Sequence, residues 1–155
     1  MKKRLIIAFI LVIYSLILIK VMVFKNVPLI RIGSLMFNLG GTQEGQANFW
    51  PFKTILSYLF GERGLIITFI NLVGNIVLLI PIGFLVPFLS RKMAWEKALA
   101  LAVSAGLAIE GAQAVLHLGI FDIDDVILNG LGVVIGYWAF RIFVRRVETR
   151  QKSSV

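Results

Sequence analysis

Acidic side chains in and beside long apolar segments are the groups of this sequence that could do chemistry. Glu110 lies inside such a segment, and Asp122, Asp124 and Asp125 follow shortly after it. Together these carboxylates could hold a divalent cation and support phosphate transfer on lipid-linked substrates. No glycine-rich phosphate loop accompanies them. Such acids also occur as solvated loop residues or, for Asp124 and Asp125, as caps of a helix N-terminus.

Amide side chains extend the polar pattern at helical spacing. Three polar pairs each lie on one face of a helix, because their members are three or four positions apart: Asn71 and Asn75, Glu110 and Gln113, Asp125 and Asn129. Polar side chains inside a membrane span are costly and are therefore candidates for function. Asparagine and glutamine also join helices through hydrogen bonds with no further role. The sequence leaves both interpretations open.

Glu110 is the foremost candidate, because an ionisable group inside a membrane span is expensive and these helices supply no basic partner. It is either protonated or paired with a cation, with Arg31 or with Arg63. The chain has no cysteine and one histidine, which excludes thiol chemistry, disulfides and multi-histidine metal sites. That histidine, His117, is expected at the membrane interface. No organic cofactor is expected, and a divalent cation on the four carboxylates stays open.

Long apolar segments must position these residues. The chain of 155 residues is 59% hydrophobic and 15% charged, whereas soluble domains are about 45–50% apolar and about 25% charged. Four runs are long enough to cross a bilayer as helices: residues 5–24, 66–89, 94–118 and 126–144. The prediction is an all-α, integral membrane bundle of four transmembrane helices, forming a single domain over residues 1–155.

The distribution of lysine and arginine predicts the orientation of this bundle. Basic clusters precede the first run, occupy the link between the second and third, and follow the fourth. In a four-helix bundle all three clusters lie on one side, which the positive-inside rule makes cytoplasmic, together with both termini. The net charge of +8 is thus assigned to membrane contacts, and no nucleic-acid partner is expected. The polar pairs then fall in the outer half of the bilayer.

The segment between the first two runs is predicted to be external. Pro51 suits the first turn of a helix, and Phe52, Ile55 and Leu59 recur at helical spacing after Trp50. This pattern predicts a short amphipathic helix on the outer surface. The alternative is a re-entrant loop that packs over the bundle.

Small residues continue the polar faces toward the cytoplasmic side, where they let helices approach closely. The glycines assigned to this packing are Gly74, Gly106, Gly132 and Gly136. One face of each helix is therefore expected to carry small packing residues in the cytoplasmic half of the bilayer and polar groups in the outer half. The resulting inference is a polar pocket between the second, third and fourth helices that opens outward.

Four stretches, in this order and spacing, resemble the VanZ-like family. They lie at residues 50–55, 71–84, 109–113 and 121–137 and contain all the polar pairs named above. The resemblance implies a multi-pass protein of the bacterial plasma membrane. Through the family's founding member it also implies a link to low-level teicoplanin resistance that is independent of rebuilt peptidoglycan precursors. The chain departs from the pattern in two places: many members carry an arginine within the stretch that matches residues 118–120, and many carry a threonine at the position of Gly130.

Three functions are compatible with these features. The first is a non-enzymatic envelope protein that binds a membrane lipid, a lipid-linked precursor or a lipid-anchored glycopeptide and influences teicoplanin sensitivity. The second is a membrane enzyme that uses Glu110 and the aspartates on lipid-linked phosphates. The third is a small transporter with Glu110 as its titrating group, in which a homo-oligomer would have to supply a polar path through the apolar cytoplasmic half. The sequence favours the first and leaves catalysis undecided.

Overall fold

Five helices and one short hairpin make up the described part of the chain. The computed structural model describes residues 2–23, 30–32, 35–37, 47–60, 65–90 and 93–153. The elements in chain order are α1 (Lys2–Met22), β1 (Ile30–Ile32), β2 (Leu35–Phe37), α2 (Lys53–Phe60), α3 (Leu65–Leu89), α4 (Trp95–Val115) and α5 (Ile123–Ser153). Four of them, α1, α3, α4 and α5, are long and apolar enough to cross a membrane. The predicted four-helix membrane bundle with a short extra helix is confirmed.

Helix α5 is longer at both ends than the apolar run that predicts it. It begins at Ile123 because Asp122 caps it, with Asp122 Oδ1 accepting the N–H of Asp124 at 2.9 Å. The cap is therefore Asp122, and not Asp124 or Asp125. The helix continues to Ser153 because arginine, glutamate, glutamine and lysine are good helix formers wherever the chain is in water.

Helix α4 ends at Val115, three residues before the end of its predicted run, and His117 explains why. His117 has a φ of 54°, in the left-handed region that usually takes glycine. The N–H groups of Leu118 and His117 donate to the carbonyl oxygens of Gln113 (2.9 Å) and Ala114 (3.2 Å). These two bonds satisfy two of the last carbonyls of the helix, so His117 acts as its C-terminal stop. Histidine is one of the few residues that tolerate this conformation.

Glycines set the distance between α3 and α5. A Cβ added to Gly132 would lie 2.1 Å from the carbonyl oxygen of Ile76, and one added to Gly136 would lie 2.1 Å from that of Ile80. Gly83 faces the other way, 2.0 Å from the carbonyl oxygen of Val133. The two backbones are thus in direct contact, which is the role predicted for small residues.

Two further glycines differ in their surroundings. On α4, a Cβ added to Gly106 would meet the side chain of Val126 at 2.9 Å, so this glycine brings α4 against α5. Gly74 is different: no atom of the described residues lies within 4 Å of an added Cβ. The packing role predicted for Gly74 therefore has no support among the described residues, and Gly83 makes the close contact on α3.

Hydrogen bonds to backbone carbonyls attach α1 to the rest of the bundle. The Tyr14 hydroxyl donates to the carbonyl of Leu78 in α3 at 2.7 Å, and Gln113 Nε2 in α4 donates to the carbonyl of Met22 at 2.6 Å. The end of α1, the start of α3, the end of α4 and the start of α5 therefore lie at one end of the bundle. Lys2 and Ser153 lie at the other.

Candidate functional site

The segment before α2 meets the start of α5 at the end of the bundle away from the termini. Asn48 pairs with Asp122 as an isolated parallel β-bridge. Its N–H donates to the carbonyl of Phe121 at 2.8 Å, and its own carbonyl accepts the N–H of Ile123 at 3.0 Å. Asn48 Nδ2 also donates to Asp122 Oδ1 at 3.0 Å, and the Thr54 hydroxyl donates to Asp122 Oδ2 at 2.6 Å. Both carboxylate oxygens of Asp122 are therefore occupied in joining the two segments.

Asp124 caps a helix other than its own. Its Oδ1 accepts the N–H of Phe52, and its Oδ2 accepts those of Thr54 at 2.7 Å and Ile55 at 3.1 Å. Phe52 directly precedes α2, and Thr54 and Ile55 belong to its first turn, where N–H groups have no partner within the helix. Asp124 has no exposed surface. Phe52 has a φ of 69°, a costly conformation for this residue that persists because Asp124 holds its N–H.

A second polar layer lies among the long helices. Asn75 Nδ2 of α3 donates to Asp125 Oδ1 of α5 at 2.7 Å, and Glu110 Oε2 of α4 accepts the N–H of Asp122 at 3.1 Å. Glu110 is 1% exposed, and both Glu110 and Asp125 make a further interaction in addition to these bonds. Of the partners considered for Glu110, Arg63 and the side chain of Arg31 lie outside the described residues.

The remaining amides differ in how well they are bonded. Gln113 donates to α1, but its Oε1 has no partner in the described part of the chain. Asn129 is fully buried, and neither its Nδ2 nor its Oδ1 finds a partner there. Asn71 is partly buried one helical turn before Asn75. Buried amides are almost always bonded, so Asn129 has spare capacity for a hydrogen-bonding ligand or water.

Replacing Asn129 with leucine is expected to leave the thermal stability unchanged or to raise it. An unbonded buried amide costs about 1–3 kcal/mol, which an apolar side chain of similar size avoids. The measurement is the melting temperature of the purified protein in neutral detergent. Asn75→Leu is the matched control and is expected to lower that temperature, because it strips Asp125 of its amide partner. Equal losses in the two variants would mean that Asn129 is bonded to a structural partner.

The four carboxylates do not form a common metal site. Within the described ranges, no group of three or more histidine, aspartate or glutamate side chains could hold a metal ion. Asp122 and Asp124 direct their oxygens to Asn48 and to α2, while Glu110 and Asp125 bond to different segments. The carboxylates are thus divided among separate partners rather than gathered around one point.

Asn48 and Thr54 are members of the site that the polar pattern of the spans does not reveal. They lie in the segment between α1 and α3, where polar residues are ordinary and no periodicity singles them out. The available signal is their position on either side of Trp50 and Pro51, next to the start of a predicted helix. Their partners, Asp122 and Asp124, are distant in sequence, so only the folded chain connects them.

Exposed aromatic rings surround the point where α2 is held. Trp50 and Phe52 bind the polar residues through their backbone N–H groups, yet their side chains are 77% and 56% exposed. The Phe49 ring is also exposed and stacks on Phe121, with ring centroids 5.3 Å apart. Phe60 is exposed at the end of α2. Clusters of aromatic residues are typical of the membrane interface, where an apolar environment borders a polar one.

A family model described as VanZ/LLP1 matches residues 9–144, which is most of the chain. The chain belongs to the VanZ/LLP1 family. The resemblance to VanZ-like proteins inferred from the sequence is thereby confirmed, and the match contains every polar residue of the candidate site. Neither the comparison with curated proteins nor that with solved structures finds a match. With four apolar helices, this VanZ/LLP1 member is a multi-pass membrane protein.

Proposed function

We propose that this protein binds an amphipathic envelope molecule at the outer face of the plasma membrane of a bacterium. The bound molecule is a lipid, a lipid-linked precursor or a lipid-anchored glycopeptide. Its binding alters the sensitivity of the cell to teicoplanin. The basic clusters near both termini support a cytoplasmic location for these ends of the chain. The polar end of the bundle then faces outward.

The observation that carries this proposal is the direct attachment of exposed aromatic rings to a buried polar cluster. The backbone of Trp50 and Phe52 is fixed by Asn48 and Asp124, while the rings remain outside. A rigid apolar surface beside polar groups suits a molecule with one apolar and one polar part. Rigid aromatic side chains contribute much contact area at a small cost in conformational entropy.

Incomplete hydrogen bonding in the cluster also favours a binding role. Asn129 and Gln113 are buried with amide atoms that no described residue satisfies. A ligand bearing hydroxyl, amide or phosphate groups offers the bonds that these atoms lack, provided that the side chains now covering them move aside to admit it. An enzyme that works through a metal on the aspartates is less well supported, because their oxygens hold α2 and Asn48.

Teicoplanin and vancomycin susceptibility in a Gram-positive host tests this function. The wild-type protein is expected to raise the minimal inhibitory concentration of teicoplanin, because teicoplanin is the drug to which the resemblance points. Glu110→Gln and Asp125→Asn are expected to lose most of that increase at equal membrane abundance, since they replace a carboxylate oxygen that can accept hydrogen bonds by an amide nitrogen that cannot, without changing the shape of the side chain. Trp50→Ala is expected to lose it as well, and because the Trp50 ring is exposed, its removal should leave the fold intact.

The control for the chemical change is Glu96→Gln, the same substitution at an exposed position in the first turn of α4, at the other end of the bundle. It should behave as the wild type. If the wild-type protein changes neither susceptibility, the antibiotic part of the proposal is refuted for this protein. Equal loss in Glu96→Gln and Glu110→Gln would show that the cluster has no special part in the effect.

A further inference from the structure

A groove of about 770 Å³ lies at the end of the bundle that carries the termini, opposite the polar cluster. The first turn of α1, the last turn of α3 and the second half of α5 form its walls. Its volume is in the range of about 300–1,000 Å³ that is usual for small-molecule sites. This groove has no part in the function proposed above.

Cations dominate the rim of the groove. Lys3 and Arg4 come from α1, and Arg141 and Arg145 come from α5, while Glu148 is the single carboxylate among the described residues of the lining. Arg141 and Arg145 are four positions apart and therefore share a face of α5. Four positive groups against one negative group leave a positive excess, which favours an anion with more than one charge.

Aromatic rings form the apolar part of the groove. Phe88 of α3 and Phe140 of α5 both line it, and their rings meet edge to face with centroids 4.8 Å apart. Phe84 and Phe143 extend this aromatic cluster, each ring lying within 6.4 Å of one or more of the others. The groove therefore combines a cationic rim with a rigid apolar wall. A free phosphate would use only the rim.

The position of the groove matches the boundary of the membrane. Apolar residues of α5 give way to arginine and glutamate in this region, so the cations lie at the depth of lipid headgroups. Basic grooves between transmembrane helices are suited to anionic headgroups with their acyl chains alongside the protein. The first turn of α1 adds backbone N–H groups that also favour negative charge.

We propose that this groove binds an anionic membrane lipid whose headgroup carries two phosphate groups. Arg141 and Arg145 contact one phosphate, Lys3 and Arg4 the other, and an acyl chain lies against Phe88 and Phe140. A headgroup with one phosphate neutralises less of the positive excess and is bound more weakly.

The test is lipid binding to the purified full-length protein in a neutral detergent, measured by native mass spectrometry. Four probes are compared: a two-phosphate diphosphatidylglycerol, phosphatidylglycerol, phosphatidylcholine and inorganic phosphate. One diphosphatidylglycerol per chain is expected to bind saturably and most tightly. Arg141→Gln with Arg145→Gln should weaken its binding about thirtyfold, because each cation at a headgroup contributes about 1 kcal/mol. Arg141→Lys with Arg145→Lys should retain most of the affinity.

The matched control removes the same charge from the same end of the bundle but outside the groove. It is Lys97→Gln with Arg146→Gln, and it should bind diphosphatidylglycerol as the wild type does. If the two double variants weaken binding equally, the lipid is attracted by the overall charge of this end of the bundle and not by the groove, and the proposal fails. It also fails if inorganic phosphate competes fully with the lipid, or if the two anionic lipids bind equally.

A second variant covers the case in which the α5 substitutions prevent folding. Lys3→Gln with Arg4→Gln removes the other half of the rim from the first turn of α1, where both side chains are exposed. This variant is expected to fold and to lose affinity for diphosphatidylglycerol to a similar extent. Unchanged affinity in it would remove α1 from the site and overturn the proposed arrangement of the two phosphates.

Discussion

Gly132→Ala is expected to cause a large loss of folded protein. The added methyl carbon would lie 2.1 Å from the carbonyl oxygen of Ile76 and 3.0 Å from the Cβ of Leu79. A carbonyl oxygen within a helix cannot turn aside as the end of a long side chain can. Helices α3 and α5 must therefore separate, and the contacts on both sides of the glycine are weakened together. Overpacking typically lowers the free energy of unfolding by about 1–3 kcal/mol. Because the backbone must also shift, the loss in this variant is expected at or above the upper limit of that range.

The measurement is the melting temperature in neutral detergent, together with the amount of protein in the membrane. Gly74→Ala is the matched control, because an added Cβ there meets no atom of the described residues within 4 Å. This control is expected to be neutral or slightly stabilising, since alanine favours a helix over glycine by about 1 kcal/mol. If Gly132→Ala is as stable as Gly74→Ala, α3 and α5 are not in backbone contact at this position.

Asp124→Ala is expected to release α2 and the segment before it from the bundle. Three backbone N–H groups, those of Phe52, Thr54 and Ile55, lose their acceptor at once. The positive φ of Phe52 is a costly backbone conformation. Without an acceptor for its N–H, this cost is no longer offset, and the backbone is expected to relax to a negative φ. Loss of a helix cap costs about 0.5–2 kcal/mol, and bonds to a charged group raise the expected total to about 2–4 kcal/mol.

Hydrogen–deuterium exchange over residues 48–60 detects this release as faster exchange, and trypsin should cleave more readily after Lys53. The four transmembrane helices should keep their protection, because the lost bonds lie outside them. Glu96→Ala is the control, an exposed carboxylate in the first turn of α4 whose loss should leave exchange in this segment unchanged. If exchange over residues 48–60 is the same in Asp124→Ala and in the wild type, Asp124 does not hold α2.

The transmembrane helices follow from the sequence because their signal is local. A run of about 20 apolar residues has few alternatives to a spanning helix, since every backbone group must be bonded within lipid. The ends of these helices were less predictable. Hydropathy did not reveal the stop at His117 or the start at Ile123, because both depend on caps and backbone conformation rather than on apolarity.

Polar residues inside the spans could also be identified from the sequence, because each is a local exception to an apolar pattern. Asn75, Glu110 and Asp125 do lie in contact with other polar groups at one end of the bundle. The separate role of each carboxylate could not be predicted from the sequence. Spacing alone suggests that three aspartates and a glutamate act together, whereas Asp122 caps α5 and holds Asn48, and Asp124 caps α2.

Composition, hydropathy and helical spacing together determine the membrane bundle, its four spans and the polar faces of this VanZ/LLP1 protein. These properties rest on residues that are near each other in the chain. The attachment of α2 to Asp124, the pairing of Asn48 with Asp122 and the choice of Gly83 over Gly74 depend on residues far apart in sequence. Such contacts arise only when the helices have packed, because the distance and rotation between two helices decide which side chains meet.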